Sequence, residues 1–193
     1  MSLDLKACTD GELAALTLAG RQAAFAELMR RHQAAIYRIT RAHVGDADEA
    51  LDLVQDCFTA AFTALGRYQA DRPFRPWVAR IAINKCRDWT RRQTIRNFFG
   101  RAQPLSEHMT DTIADPAPGL DAILAGREDL ERLWQAIALL PSALKEPLIL
   151  RTVEGLSQAE AAAVLSITEK AVETRLHRAR AKLAKSLAFS DHG

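Results

Sequence analysis

Cysteine is scarce and scattered in this chain: Cys8, Cys57 and Cys86 are the only thiols in 193 residues, and no two lie within a CxxC pair. Such spacing offers neither a disulfide framework nor a metal motif, so Cys57 and Cys86 are expected as small apolar core residues. No run approaches the roughly 18–20 uninterrupted apolar residues needed to cross a bilayer, and the N-terminus lacks a basic region followed by an apolar one. A soluble, cytoplasmic protein is expected. Catalytic signatures are missing as well, with no GxSxG, GxxxxGK[ST], HExxH or GxGxxG and only scattered histidines. The sequence therefore gives no reason to expect catalysis, a cofactor or a bound metal.

What is present points to helices. Hydrophobic residues make up 48% of the chain, Ala and Leu are prominent and Tyr occurs only twice, a balance that suits a helical rather than a β-rich protein. The length permits two small domains. A net charge of +2 conceals blocks of opposite sign: residues 46–56 hold five acids and no base, and 75–101 hold eight bases against Asp88. Residues 103–131 hold seven acids against Arg127, and 169–185 hold six bases against two acids.

Helical spacing organises most of the rest. Phe25, Leu28, Met29, His32, Ile36 and Ile39 share one face of a helix stopping near Gly45, preceded by a shorter helix near 10–19 capped by Thr9 or Asp10. Leu51, Val54, Phe58, Ala61, Phe62 and Leu65 repeat the pattern after Asp46 or Asp48, with Gly66 as the stop. Pro73 and Pro76 suit the start of a third long helix, with Trp77, Val78, Ile81, Cys86 and Trp89 on its apolar face. Periodicity fails from about residue 97 to 125, where prolines and acids collect as in a linker. It resumes with Leu130, Leu133, Trp134, Ile137 and Leu140 and restarts behind Ser142, a candidate N-cap. Pro147, inside the next helix, has no ready account from pattern alone.

Three constellations carry the functional signal. In residues 156–183, Ser157 and Glu160 form a capping box, and Ser166-Ile167-Thr168 makes a turn into a second helix bearing Lys170, Arg175, Arg178, Arg180, Lys182 and Lys185. This is a helix-turn-helix, whose second helix would place Lys170, Glu173, Thr174, His177 and Arg178 in a major groove; the plainer alternative is a helical hairpin with a solvated basic face. Residues 67–92 interleave Tyr68, Phe74, Trp77 and Trp89 with Arg75, Arg80, Lys85, Arg87, Arg91 and Arg92, a composition fit for single-stranded or melting DNA, unless the tryptophans are core and the arginines a solvated face. On the acidic helix, Asp52, Gln55 and Asp56 stand beside Leu51 and Phe58, as a carboxylate-rimmed apolar surface for a basic helical partner or as a solvated face.

In this order and spacing the three stretches resemble the extracytoplasmic-function (ECF) sigma factors of the sigma-70 superfamily, over about residues 20–95 and 128–187. EALDLVQDCFTAAF (49–62) is similar to the family's polymerase-binding stretch, RPWVARIAINKCRDWTRR (75–92) to its promoter-melting stretch, and LSQAEAAAVLSITEKAVETRLHRARAKL (156–183) to its second promoter-reading unit. The resemblance implies an all-α protein of two small domains, an N-terminal helical bundle over 10–96 and a C-terminal helix-turn-helix over 127–187, joined by a flexible acidic linker, 97–126. It implies that Leu51, Asp52, Gln55, Asp56 and Phe58 dock on the clamp helices of the RNA polymerase large subunit. Tyr68, Arg75, Trp77, Arg80, Asn84, Lys85, Arg87, Asp88, Arg91 and Arg92 would meet the minus-10 element. Ser157, Gln158, Lys170, Glu173, Thr174, Arg175, His177, Arg178, Arg180 and Lys182 would meet the minus-35 element. The resemblance further implies a linker passing near the RNA exit path and an anti-sigma partner, commonly membrane-anchored. DRPFRPW and KAVETR are similar to members tied to heavy-metal resistance.

Three positions depart from the family. Leu51 stands where an acid is more common. Ser166 occupies a turn position usually held by Gly, and Glu173 stands where a base is frequent; an acid there can accept from cytosine N4 but repels phosphate. Two other readings stay open at this level, a helix-turn-helix regulator independent of polymerase and a helical enzyme or metal protein using the 46–56 carboxylates.

Overall fold

The computed structural model describes residues 3–99 and 120–190, and among these all regular structure is helical. Thr9 opens α1 (Asp10–Leu18) with a reciprocal box: its N–H donates to Glu12 Oε2 at 2.7 Å, and its Oγ1 accepts from the Glu12 N–H at 3.2 Å. Helix α2 (Gln22–Val44) ends at Gly45, whose φ of 84° is a left-handed cap. A Cβ at Gly45 would also stand 2.9 Å from the Ala138 Cβ, so glycine is required both for backbone conformation and for space. Asp46 caps α3 (Ala47–Ala64) by accepting the Glu49 N–H at 2.9 Å. The chain does not stop at Gly66 but passes through it in a 3₁₀ turn, Leu65–Arg67, before the loop into α4 (Phe74–Phe99).

The second half comprises α5 (Leu120–Ala138), α6 (Ser142–Leu148), α7 (Gln158–Leu165) and α8 (Glu169–Ser190). The helical ends Phe99 and Leu120 both fall within the expected linker span of 97–126, and most of the acidic stretch lies outside the described residues. Ser142 does not cap α6. Pro141 holds that position, its φ of −54° already set by the ring, and Ser142 is the first helical residue. Pro147 lacks the N–H for an i→i−4 bond, and beyond it the chain continues as a wider π turn, Ile149–Val153, in which the Glu154 N–H reaches Ile149 O at 2.9 Å.

Two expected apolar faces turn out rotated. On α3 the buried set is Ala50, Leu53, Cys57, Phe58 and Ala61, while Leu51 and Phe62 are 51% and 52% exposed; these two sit one position round the helix from the 50/53/57/61 series that faces the core. On α4 the core residues are Phe74, Val78, Ala79, Ala82, Ile83 and Cys86, with Trp77, Ile81 and Trp89 half-buried. Cys57 and Cys86 are buried and unbridged, and burial pushes the Cys57 thiol up to about 12.

Helix α2 is the hub. It packs on α1, α3 and α4 and also on α5, while α4 packs on α7, so one apolar core runs from Leu28, Ile36 and Ile39 through to Ile149, Leu150 and Leu165. At that junction Lys145, 5% exposed, donates to His43 O at 2.9 Å and to Ala138 O, meeting carbonyls left open at two helix C-termini. The His43 ring beside it is 1% exposed, with Nε2 3.2 Å from Thr90 Oγ1 and no partner for Nδ1 among the described residues. Burial, aided by the Lys145 and Arg87 cations, pushes His43 down from 6.5 to about 3. The unfolded chain takes up this proton as pH falls through 6.5 and the folded chain only near 3, so the stability is present above 6.5 and is lost on acidification through that window. Between pH 7 and about 5.5 the loss is about 1 kcal/mol. Urea unfolding at both pH values should show that difference in the native protein and lose it in His43→Asn; parallel pH slopes in the two proteins would refute the assignment.

Candidate nucleic-acid interface

The helix-turn-helix is built from its caps outward. The Ser157 N–H donates to Glu160 Oε2 at 2.7 Å and the Glu160 N–H returns to Ser157 Oγ at 3.2 Å; hydrogen bonding from the Ser157 hydroxyl and then its N–H holds the Glu160 carboxyl below its usual range. Ser166 closes α7 in the left-handed region, φ 56° and ψ 46°, a conformation that costs a side chain-bearing residue energy and that glycine adopts freely. Thr168 Oγ1 then accepts the Ala171 N–H at 3.2 Å and starts α8. Val172 and Ala179 face the core, so α8 turns the other side outward: Lys170, Glu173, Thr174, His177, Arg178, Arg180 and Lys182 are exposed and Arg175 is half-buried. Gln158 bridges the two helices, its Nε2 donating to Glu169 O at 3.1 Å, and Thr174 Oγ1 donates back to Lys170 O.

The α4 surface is more engaged. Tyr68, Phe74 and Trp77 form a ring cluster with centroids 5.1–5.2 Å apart, and His32 adds a fourth ring 5.0 Å from Phe74. Phe74 is 2% exposed and so belongs to the core, whereas Tyr68 and Trp77 line a cavity of about 260 Å³ together with Arg67, Arg72 and Arg80. Tyr68 Oη donates to Arg72 O and ties the loop across itself. Asn84 is exposed and Lys85 half-buried; Arg91 pairs with Asp88, and Trp89 Nε1 donates to Glu49 Oε2 at 2.8 Å. Arg75, Arg80 and Arg87 donate to the second half of the chain, at Glu154, Ala163 O and Glu146.

On α3 the exposed residues Leu51, Asp52, Gln55 and Asp56 share the outward side, and the last three line a depression with Arg92 and Arg96. Phe58 is not on that surface: it is 2% exposed and packs edge-on to Phe25, while Phe62 projects in its place. Glu146 and Glu154, which hold the α4 arginines, were not singled out by sequence reasoning. Acids inside an apolar run carry no periodic signal of their own, and only the unusual burial of charge within EPLILRTVE marks them.

Residues 28–95 match the family profile Sigma-70 region 2, and residues 130–183 match Sigma-70, region 4. The RNA polymerase sigma factor CnrH of Cupriavidus metallidurans is 39% identical over 179 residues, 92% of this chain and 94% of that protein. ECF RNA polymerase sigma factor SigM of Mycobacterium tuberculosis is 30% identical over 185 residues, 96% of this chain and 88% of its own. The chain belongs to the ECF sigma factors. The structure of CnrH in complex with the cytosolic domain of CnrY matches this sigma factor with a TM-score of 0.68 at 35% identity, over 93% of this chain and 97% of that one. The region 2 match thus runs from within α2 to within α4, and the region 4 match from midway along α5 to within α8. As a sigma factor it is a transcription initiation factor, acting with RNA polymerase at promoters. No helix among the described residues is long and apolar enough to cross a membrane.

Proposed function

We infer that this sigma factor divides promoter recognition between its two halves, residues 10–96 serving polymerase and the minus-10 element and residues 127–187 the minus-35 element. The observation that carries this reading is the outward side of α8, where Lys170, Glu173, Thr174, His177 and Arg178 are exposed at groove-reading spacing over a buried Val172 and Ala179. Arg175, Arg180 and Lys182 flank them as phosphate contacts, and Ser157 and Gln158 sit where the first helix of the unit crosses the DNA backbone. On α4, Arg75, Arg80, Lys85, Arg87, Arg91 and Arg92 track the strand, Asn84 and Asp88 offer polar edges, and Tyr68 and Trp77 hold an unstacked base against the cavity wall. Leu51, Asp52, Gln55 and Asp56 present the polymerase contact, with Phe58 supporting it from beneath.

The factor works in the cytoplasm, where polymerase and promoter meet, and contributes binding rather than catalysis. An anti-sigma factor controls it in response to an envelope, metal or other stress signal; the similarity to CnrH, solved with the cytosolic domain of CnrY, supports that partner.

Run-off transcription from genomic fragments with core polymerase tests the reading. The wild type should yield new transcripts, and Asp52→Ala/Asp56→Ala should reduce them about ten-fold, equivalent to about 1.4 kcal/mol of polymerase contact. Tight duplex binding by the protein alone, with no transcript, would replace this reading with that of an independent regulator.

A further inference from the structure

Helix α1 lies outside both matched regions, since the region 2 match begins at residue 28, within α2. It nevertheless packs against the loop that leads into the aromatic cavity. Gly11 stands on the backbone of that loop: a Cβ there would come 2.7 Å from Ala70 O and 3.4 Å from the Ala70 Cβ. Among the described residues the glycines with positive φ are Gly20, Gly45 and Gly155, so Gly11 serves no left-handed turn. Glycine inside a helix is a loss relative to alanine, and what its missing Cβ supplies here is room for the loop carbonyl.

The neighbouring Asp10 reaches the same loop by a second route. Its Oδ1 accepts from Arg31 Nη1 at 3.0 Å, and its Oδ2 lies 2.8 Å from His32 Nε2. Arg31 is itself fixed, donating to Glu27 Oε1 at 2.9 Å and to the carbonyls of Leu5 and Lys6. The His32 ring, held at one edge by Asp10, meets Phe74 with centroids 5.0 Å apart, and Phe74 meets Tyr68 at 5.2 Å and Trp77 at 5.1 Å. Asp10 also acts on Tyr68 through space: burial first, and then the Asp10 and Asp71 carboxylates, push the phenol above its ordinary range. One residue of α1 thus sets the loop backbone and the next steadies the rings that line the cavity.

We propose that α1 is a positioning element for promoter melting, in which Gly11, through Ala70, and Asp10, through His32 and Phe74, hold the 67–73 loop and its rings where they receive an unstacked base. This rests on the reading of the Tyr68 and Trp77 cavity as a base-holding site. Both residues act through others, and the effect on the base is set by distance. A gap of about 0.5–1 Å forfeits a quarter to a half of a dispersion contact, so a small displacement of Tyr68 or Trp77 weakens the stack without unfolding anything. A methyl group at position 11 must displace the Ala70 carbonyl, because the atom it meets is backbone and cannot swing aside.

The test uses the full chain bound to core polymerase. The probe is a fluorescent non-template-strand oligonucleotide carrying the minus-10 element of a promoter found by run-off, with a set of the same strand from which one base is removed at each position in turn. Wild type should lose about ten-fold in affinity where the held base is missing. Gly11→Ala, and Asp10→Asn, which keeps side-chain shape and removes the charge, should each bind the complete strand about five-fold more weakly than wild type. Both should match wild type on the strand that lacks the held base, and both should bind core polymerase as wild type does. An equal loss on every strand would mean that α1 only supports the fold, and wild-type affinity in both variants would free the loop from α1; either result overturns the proposal. Trp77→Ala separates this from the reading beneath it, since it should lose about ten-fold on the complete strand. If Trp77→Ala binds every strand as wild type does, the cavity is no base site, and the assignment of α1 falls with that reading.

Discussion

Reversing two charges on α8, Lys170→Glu with Arg178→Glu, should cut transcript from the factor's own promoters by about 30-fold or more while leaving the fold intact. Each base-edge or phosphate contact is worth about 1–3 kcal/mol, so losing two removes at least about 2 kcal/mol before the new repulsion from phosphate is counted. Both residues are exposed and, among the described residues, neither side chain has an ion-pair or hydrogen-bond partner, so no buried partner is stranded. Lys185→Glu, about two turns beyond, should cost much less. Run-off assays on templates with and without the upstream element check this: the loss should vanish on templates that lack it. A uniform loss on both templates would mean that α8 acts elsewhere.

Removing the Phe74 ring should be the most damaging single change to stability. It is 2% exposed and in ring contact with His32, Tyr68 and Trp77, so Phe74→Ala opens a cavity beneath the 67–73 loop as well as losing its own burial. The cost is about 3–5 kcal/mol, which lowers the melting midpoint by roughly 6–20 °C for a chain of this size. Phe74→Leu, retaining most of the volume, should cost well under half of that. Calorimetry of the three proteins decides the matter, and a Phe74→Ala midpoint within about 2 °C of wild type would show that the ring cluster does not organise the loop.

Local chemistry made much of this fold legible. Ser157 with Glu160 announces a helix start by a spacing that has one physical use, Thr9 offers a cap for α1, and Gly45 announces a stop because α2 ends in a left-handed residue. The basic, exposed side of α8 was legible for the same reason, since charge at helical spacing shows in one dimension. Errors arose where two local signals competed. Ser142 is a good capping residue, but Pro141 before it had already set the turn, and Leu51 and Phe62 are as apolar as their buried neighbours yet sit one position off the register that Cys57 and Ala61 keep. Long-range pairing was not legible at all. Nothing near Arg87 in sequence indicates Glu146, and the burial of Lys145 against the ends of α2 and α5 appears only when three helices meet.

The distances along the chain between those partners have a consequence for how the protein is born. Arg38 precedes Glu154 by 116 residues, and His43 precedes Lys145 by 102. A ribosome adding about 5–20 residues per second takes roughly 6–23 s to travel from the first of these to its partner. Helices α1 to α4, whose own core is local, emerge and pack in that interval with their arginines uncovered. Each newly made copy thus passes through an open infancy before its acids exist, and anything that captures it on the ribosome meets a form that the finished molecule has closed.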